Sequence, residues 1–506
     1  MGSRNGDGPG RHDGTPMQDD DVGSEQTSFA RTFVRGMVWT WGAQYGQYAI
    51  ALGVTAVLAR KLSVNDFGLV SMVVVFTGFL ALLAEGGVTT GVVQFRDLDT
   101  KALSSIFWLL VIFGSVLWGL TALTGPIVAW FFGDQRLTRI VEVLGGQLLP
   151  AAVSSVPLAM LQRQLRFRAI SIVALVSTLV AGSGAVAAAV WGLGYWALVL
   201  QALIYSVTNL IGLCLAARWL PGWRLSLEPA RRLARFSVNL LGFRTINYWA
   251  RTADNLLIGK FLGAQALGFY GQSYRLMMIP LNSIAGAIGQ TLHPILARFQ
   301  NDSARMGDAY LRVLTVVASL SFPIGAFFVL SGSPIVAVLY GPGWGLAGQM
   351  LSIFGFVVMI QPMVSITGPL MLAKTRPDIM LKLAAFNTLL AIGAFLVGIR
   401  YGVVAVAMAY TVVSVLIAAP VTMIVVSKLC QYRGRQIVGA IWKPLIVAAG
   451  GVAGGWLFSG IFAHWPDLLI IAVSGAVCAA VVAGFVFPAL KSALGNHPQE
   501  SESPGT

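Results

Sequence analysis

The chain is dominated by long apolar runs that are separated by short polar or basic segments. A helix needs about 20 mainly apolar residues to cross a bilayer, so each run predicts a membrane-spanning helix. We predict about 14 spans, at 37–58, 68–92, 103–124, 140–161, 170–190, 194–217, 237–258, 268–291, 309–331, 346–373, 379–399, 402–427, 437–460 and 467–488. The predicted fold class is therefore an all-α polytopic membrane protein.

Polar segments flank and divide these runs. Residues 1–28 are rich in Gly, Asp and Ser and lack the apolar core of a signal peptide, which predicts a disordered cytoplasmic tail. Residues 491–506 predict a second such tail. The basic segment 218–236 interleaves Arg with Trp, Leu and Phe, which predicts an amphipathic cytoplasmic linker lying on anionic headgroups.

The sequence contains a weak internal repeat. A shift of 200 residues brings Tyr48 onto Tyr248 and Gly68 onto Gly268, and the register holds through two spans and the loop between them. Because each repeat contains an even number of spans, the two repeats should share one orientation and be related by an axis along the membrane normal.

We therefore predict two six-helix lobes, 29–217 and 237–430, followed by two additional helices in 431–490. A slightly larger shift aligns Pro157 with Pro369 near the ends of the fourth and tenth spans. Proline bends transmembrane helices, so these two residues are predicted hinges between states of alternating access.

Composition excludes a soluble protein. Hydrophobic residues make up 56% of the chain and charged residues 11%, with a mean hydropathy of +0.76. The net charge of +14 would suggest nucleic acid in a soluble protein, but most of the 34 Lys and Arg fall in the segments on the N-terminal side of the membrane. By the positive-inside rule both termini are expected to be cytoplasmic, and no nucleic acid is expected as a partner.

No catalytic or metal-binding constellation emerges. Cys214, Cys430 and Cys478 lack the paired spacing of a disulfide framework or a zinc site, and the four histidines are far apart in sequence. We therefore expect neither an enzyme nor a resident cofactor. Coupling to protons or sodium ions remains open.

The candidate substrate-binding residues are mainly charged side chains inside the seventh span. Arg244, Asn247, Arg251 and Asp254 follow spacings of three, four and three, which predicts one helical face, and Arg275 follows on the eighth span. Embedded charges normally face a cavity or a partner. Either the arginines line a water-filled cavity for an anionic group such as a phosphate, or Arg251, Asp254 and Arg275 form a structural ion network while Arg244 snorkels.

The first span provides neutral counterparts. The shift of 200 residues aligns Gln44 with Arg244, and Gln47 and Tyr48 occupy the positions of Asn247 and Tyr248. Amides and aromatic rings can hydrogen-bond and stack on sugars, whereas aromatic residues near span ends also serve as interface anchors.

Glu85 in the second span is the acid of the N-terminal half that looks fully embedded. It is either a proton-sensitive group with a pKa raised by burial, or a group that pairs with a cation or accepts backbone hydrogen bonds at a helix break. Both interpretations stay open.

Two stretches of the sequence are familiar. VLARKLSVNDFGLVSMVVVFTGFLALLAEGGVTTGVVQF and NYWARTADNLLIGKFLGAQALGFYGQSYRLMMIP resemble the signature regions of the polysaccharide transporter family, within the multidrug/oligosaccharidyl-lipid/polysaccharide exporter superfamily that includes Wzx-type flippases. In the second stretch Arg251, Asp254, Tyr274 and Arg275 match family positions.

The resemblance implies two six-helix lobes plus two helices, and the movement of an undecaprenyl-pyrophosphate-linked oligosaccharide across the cytoplasmic membrane. It also implies membrane lipids, a polysaccharide polymerase and a chain-length regulator as partners. A multidrug antiporter of the same superfamily would need a net acidic cavity. A membrane glycosyltransferase or polymerase would need an outer loop with catalytic carboxylates.

Overall fold

A computed structural model of the protein describes most of the chain. The residues described are 19–85, 87–95, 99–223, 227–297, 299, 302–430, 434–457 and 465–495. Within these ranges all regular secondary structure is helical, which confirms the predicted all-α class. Eleven helical segments are long and apolar enough to span a membrane, so the protein is a multi-pass membrane protein.

Seventeen helices can be delimited in the described part of the chain. They are α1 Asp19–Lys61, α2 Val64–Glu85, α3 Val88–Gln94, α4 Thr100–Phe132, α5 Arg136–Gly145, α6 Leu148–Arg163, α7 Phe167–Val190, α8 Trp196–Ala217, α9 Leu227–Ala297, α10 Ser303–Tyr340, α11 Gly345–Ser365, α12 Thr367–Ala373, α13 Pro377–Ile399, α14 Val403–Val413, α15 Ala419–Cys430, α16 Gly434–Leu457 and α17 Asp467–Gly495.

The helices follow the predicted apolar runs, with differences at the boundaries. Helix α1 begins at Asp19, inside the predicted tail 1–28, and α17 continues to Gly495. Helix α9 begins at Leu227, inside the predicted linker 218–236. Residues 1–18, 224–226 and 496–506 lie outside the described residues, so the remainder of the predicted tails and linker is untested.

Helix α9 joins the predicted seventh and eighth spans across a single residue. It is 71 residues long, and its one non-helical position is Gly263, with φ 84° and ψ 179°. Only glycine adopts this backbone conformation without a steric penalty from a Cβ. The chain therefore reverses at Gly263 into two arms, which we call α9a (227–262) and α9b (264–297).

The two predicted lobes touch through α2 and α9b, in a reciprocal backbone contact. A Cβ on Gly68 of α2 would collide with the carbonyl oxygen of Ala264, and a Cβ on Gly268 of α9b would collide with the carbonyl oxygen of Val64. The two contacts exchange partners under the same shift of 200 residues. Such reciprocity is what a twofold relation between the repeats predicts.

A second reciprocal pair of contacts lies at the same end of the lobes. The guanidinium of Arg60 donates a hydrogen bond to the carbonyl of Val338, in the last turn of α10. The ammonium of Lys260 donates to the carbonyl of Phe131, in the last turn of α4, and lies 4.7 Å from the centroid of the Phe131 ring. Each predicted lobe thus provides a cation for a helix C-terminus of the other, where the helix dipole is negative.

Trp344 fills the space between these contacts. Its indole Nε1 donates a hydrogen bond of 3.1 Å to the carbonyl of Ala59, and its ring meets Phe67 and Phe269 edge to face, with centroids 5.3 and 5.9 Å apart. Trp344 is buried. We call this end of the molecule, around Gly263, the sealed end.

Candidate functional site

A cavity of about 1340 Å³ is lined mainly by residues of the first predicted lobe. The walls from the first predicted lobe come from α1, α2, α3, α5, α6, α7 and α8, and the wall from the second predicted lobe comes from α9. Drug-sized ligands occupy pockets of roughly 300–1,000 Å³, so this cavity can hold a larger molecule.

Helix α9 brings two of the predicted arginines to the cavity. The lining face of α9a carries Arg244, Tyr248, Thr252 and Asn255, at spacings of four, four and three, and α9b adds Arg275 among its own lining residues. Arg244 is half-buried and Arg275 is exposed. Both guanidinium groups belong to the wall of the same cavity.

The rest of the predicted stripe lies outside this lining face. Asn247 and Arg251 are exposed and do not line the cavity, and Asp254 is 5% exposed. Asp254 accepts a hydrogen bond of 3.0 Å from the hydroxyl of Tyr270 and one of 2.7 Å from the backbone N–H of Asn255. Successive helical residues are rotated by about 100°, so the four predicted positions cover an arc, and only one edge of it faces the cavity.

The predicted structural ion network is absent from this conformation. Among the described residues, ion pairs join Arg136 to Asp134, Arg305 to Asp302 and Arg376 to Asp378, and none involves Asp254. The alternative of an ion network between Asp254, Arg251 and Arg275 therefore has no geometric support.

The first span contributes neutral groups. Gln47 and Tyr48 line the cavity, whereas Gln44 does not line it and instead donates a hydrogen bond of 3.0 Å to the hydroxyl of Tyr48. Tyr248 donates a hydrogen bond of 2.7 Å to the carbonyl of Val75, which connects α9a to α2 along the cavity wall.

Glu85 also lines the cavity, at the C-terminal end of α2. Its side chain is exposed rather than buried, because α2 ends there and α3 starts after Gly87, which has φ 70°. Against this one carboxylate the lining contains two guanidinium groups, from Arg244 and Arg275, so the formal charge of the described lining is positive.

The sequence analysis did not identify a set of neutral polar side chains on α8 and in the region of α6. Gln201, Tyr205 and Asn209 line the cavity from α8 at intervals of four residues, and Gln147 and Gln162 line it beside and within α6. The regular spacing on α8 was visible in the sequence. These residues were missed because neutral polar groups inside apolar runs are common.

A smaller chamber of about 150 Å³ shares Tyr48 and Arg275 with the main cavity. Asn282 and Tyr340 line it as well, and the buried hydroxyl of Tyr340 has no hydrogen-bond partner among the described residues. Buried polar atoms normally have a partner, so this hydroxyl marks a place where a ligand atom could accept a hydrogen bond.

The two predicted hinge prolines occupy different positions in their helices. Pro157 is buried inside the continuous helix α6, while Pro369 lies in the first turn of α12, directly after the break between α11 and α12 at Ile366. Their role as hinges stays a prediction. No group of three or more His, Cys, Asp or Glu side chains that could hold a metal ion occurs within the described ranges.

Both the sequence and the fold are similar to those of known proteins. The family described as "Polysaccharide biosynthesis protein" matches residues 57–349, which is more than half of the chain. The chain is 25% identical to the teichuronic acid biosynthesis protein TuaB of Bacillus subtilis (strain 168), over 70% of this chain and 73% of that protein. It is 24% identical to the lipopolysaccharide biosynthesis protein WzxC of Escherichia coli (strain K12), over 69% of this chain and 72% of that protein.

Two solved structures share the fold at low identity. The lipid II flippase MurJ in an inward closed conformation superposes with a TM-score of 0.68 at 11% identity, covering 90% of this chain and all of that one. An inward-facing multidrug resistance transporter of the MATE family superposes with a TM-score of 0.62 at 14% identity, covering 77% of this chain and 96% of that one.

Proposed function

Because the chain belongs to the polysaccharide biosynthesis protein family, we propose that it is a flippase for a lipid-linked anionic oligosaccharide. It is a transport protein rather than an enzyme, and its substrate is an undecaprenyl-pyrophosphate-linked repeat unit of a surface polysaccharide. The names of its relatives, which include a lipopolysaccharide biosynthesis protein and a succinoglycan biosynthesis transport protein, support this assignment.

One observation carries the proposal: the cavity wall contributed by α9 bears Arg244 and Arg275 with no ion-pair partner among the described residues. Guanidinium groups bind phosphate oxygens through two parallel hydrogen bonds. In a cavity surrounded by apolar helices the attraction is stronger than in water, because the effective dielectric constant is lower. The pyrophosphate would therefore bind at the α9 wall.

The orientation follows from charge distribution. The segments at the sealed end contain six basic residues, Arg60, Lys61, Arg136, Arg139, Lys260 and Arg400, whereas the segments at the other end contain many more. We therefore propose that the sealed end faces outward, that both termini are cytoplasmic, and that the protein resides in the bacterial inner membrane. The cavity would then receive the substrate from the cytoplasmic leaflet, with a polymerase and a chain-length regulator acting after release.

The charge of the cavity also separates this proposal from a multidrug antiporter. A cationic drug would have to enter a lining with two guanidinium groups and one carboxylate, from Glu85. Like charges in a low-dielectric cavity repel, so such a lining favours anionic cargo.

The proposal is tested by replacing the cavity arginines in the organism that makes the polysaccharide. Arg244→Ala and Arg275→Ala should each abolish or strongly reduce polymer export, while lipid-linked repeat units accumulate in the cytoplasmic leaflet. A charge-assisted hydrogen bond contributes about 1.5–3 kcal/mol, which corresponds to roughly 10- to 150-fold in affinity.

Arg400→Ala serves as the matched control, because Arg400 is an exposed arginine of the second lobe that does not line the cavity. It should export polymer at the wild-type level. Normal export by Arg244→Ala and Arg275→Ala, at wild-type abundance in the membrane, would contradict the proposed function.

A further inference from the structure

The first-lobe wall of the cavity differs chemically from the α9 wall. Helix α8 presents Gln201, Tyr205 and Asn209 to the cavity, and none of these side chains makes a hydrogen bond to another described residue. No Lys or Arg side chain from the first lobe lines the cavity within the described ranges, whereas α9 contributes two. The cavity therefore has a cationic wall from α9 and an amide-bearing wall from α8 without a charged side chain, while the one carboxylate of the lining, Glu85, lies at the end of α2.

The spacing on α8 forms a continuous surface. Residues four apart lie on one face of a helix, so Gln201, Tyr205 and Asn209 form a stripe along the cavity. The stripe is about 12 Å long, at 1.5 Å per residue. Its central ring, Tyr205, is 37% exposed, and the two amides flank it by one helical turn on either side.

These groups match the chemistry of a neutral saccharide. A carboxamide offers two donors and an acceptor with two lone pairs, which suits neighbouring hydroxyl groups that both donate and accept. An aromatic ring provides an apolar face that can pack against the C–H face of a sugar while its hydroxyl stays wet. A phosphate would gain little from the stripe, because the stripe bears no positive charge.

We infer that the stripe Gln201–Tyr205–Asn209 on α8 is the saccharide-binding surface of the cavity, and that it recognises the neutral sugar units of the substrate while α9 binds the phosphates. The inference rests on the proposed function and assigns a separate wall to a separate part of the substrate. Gln147 and Gln162 of the neighbouring α6 region extend the same neutral wall.

The experiment measures the contribution of the sugar to binding. The purified full-length protein in detergent is titrated with two probes, undecaprenyl pyrophosphate and undecaprenyl-pyrophosphate-linked N-acetylglucosamine, and the ratio of the two dissociation constants is determined. Gln201→Met and Asn209→Leu approximately preserve side-chain volume and remove the hydrogen bonds. Elution in size exclusion and thermal unfolding establish that each variant is folded.

The wild-type protein should bind the sugar-bearing probe more tightly than the bare one. Each amide substitution should reduce that preference about five-fold, the equivalent of one neutral hydrogen bond, and leave the affinity for undecaprenyl pyrophosphate unchanged. Tyr205→Ala should also reduce the preference, and Tyr205→Phe should restore most of it because the ring is kept. Gln164→Ala, an exposed amide at the end of α6 outside the cavity lining, should behave as wild type.

The outcomes distinguish the inference from the function on which it rests. If Arg275→Ala weakens both probes equally while the α8 variants leave the preference intact, the proposed function stands and the inference on α8 is overturned. If the wild-type protein binds neither probe, the proposed function itself fails. If the α8 variants weaken both probes equally, the stripe does not discriminate sugar from phosphate, which also overturns the inference.

Discussion

The reciprocal contacts at the sealed end predict how the protein opens outward. Arg60 and Lys260 each bind a carbonyl in the last turn of a helix from the other lobe, at Val338 and Phe131. If the sealed end faces outward, as proposed, an outward-open state requires the two predicted lobes to separate at this end, so both hydrogen bonds must break. Arg60→Ala and Lys260→Ala, separately and together, should therefore shift the population of the transporter toward the outward-open state.

The size of the shift can be derived from the geometry. Hydrogen bonds with a charged donor contribute about 1.5–3 kcal/mol when they are buried. Arg60 and Lys260 are exposed, so about 1 kcal/mol for each is a reasonable value after solvent screening. The double variant then loses about 2 kcal/mol of preference for the sealed state, which raises the ratio of open to sealed molecules about 30-fold, and each single variant about five-fold.

Cysteine accessibility measures this population. Ser71 lines the cavity one turn after Gly68 in α2. The native cysteines Cys214, Cys430 and Cys478 are replaced first. A membrane-impermeant maleimide applied from outside should label Ser71→Cys slowly in the wild-type background. In the Arg60→Ala and Lys260→Ala variants, which we call the latch variants, the labelling rate should rise in proportion to the open population.

The control for this experiment is Arg139→Ala, which removes another exposed cation from the sealed end without a cross-lobe contact in the described residues. It should leave the labelling rate unchanged. Two results would refute the reasoning: an unchanged rate in the double variant, or an effect from one latch alone, because contacts related by a twofold axis should have similar weight.

Three further outcomes follow from particular contacts. Gly268→Val places a side chain against the backbone of α2, so it should raise the labelling of Ser71→Cys from outside more than either single latch variant. Arg251→Ala should reduce polymer export less than Arg275→Ala, because Arg251 does not line the cavity; equal losses would favour the stripe as predicted from sequence. The guanidinium of Arg136 lowers the pKa of Asp134, so Asp134 stabilises the fold above the unfolded pKa of about 3.9 and this contribution is lost as the pH falls below that value. Asp134→Asn should lower the thermal unfolding temperature at pH 7, and the difference from the wild type should shrink as the pH falls below about 4.

The fold was largely predictable because crossing a bilayer imposes length and composition on each helix. Apolar runs of about 20 residues identify spans without any knowledge of packing. Their connections were less predictable. The predicted turn between the seventh and eighth spans proved to be a single residue, Gly263, since one glycine in a backbone conformation with positive φ suffices to reverse a helix.

The candidate site was predictable only in part. Arg244 and Arg275 were found because a charge inside a span is costly and therefore conspicuous. Which edge of the α9a arc faces the cavity depends on how α9 packs against α2, and spacing alone could not separate Arg244 from Arg251. The amides Gln201 and Asn209 had a helical spacing, but neutral polar residues carry no comparable energetic signal.

The most direct test of the central claim is the flipping of a defined lipid by purified protein in liposomes. The probe is undecaprenyl-pyrophosphate-linked N-acetylglucosamine, and its appearance in the opposite leaflet is followed by its accessibility to a sugar-modifying enzyme added outside. The account predicts that the wild-type protein and Arg400→Ala accelerate flipping, and that the double variant Arg244→Ala with Arg275→Ala does not exceed protein-free liposomes. Flipping by the double variant at the wild-type rate would contradict it.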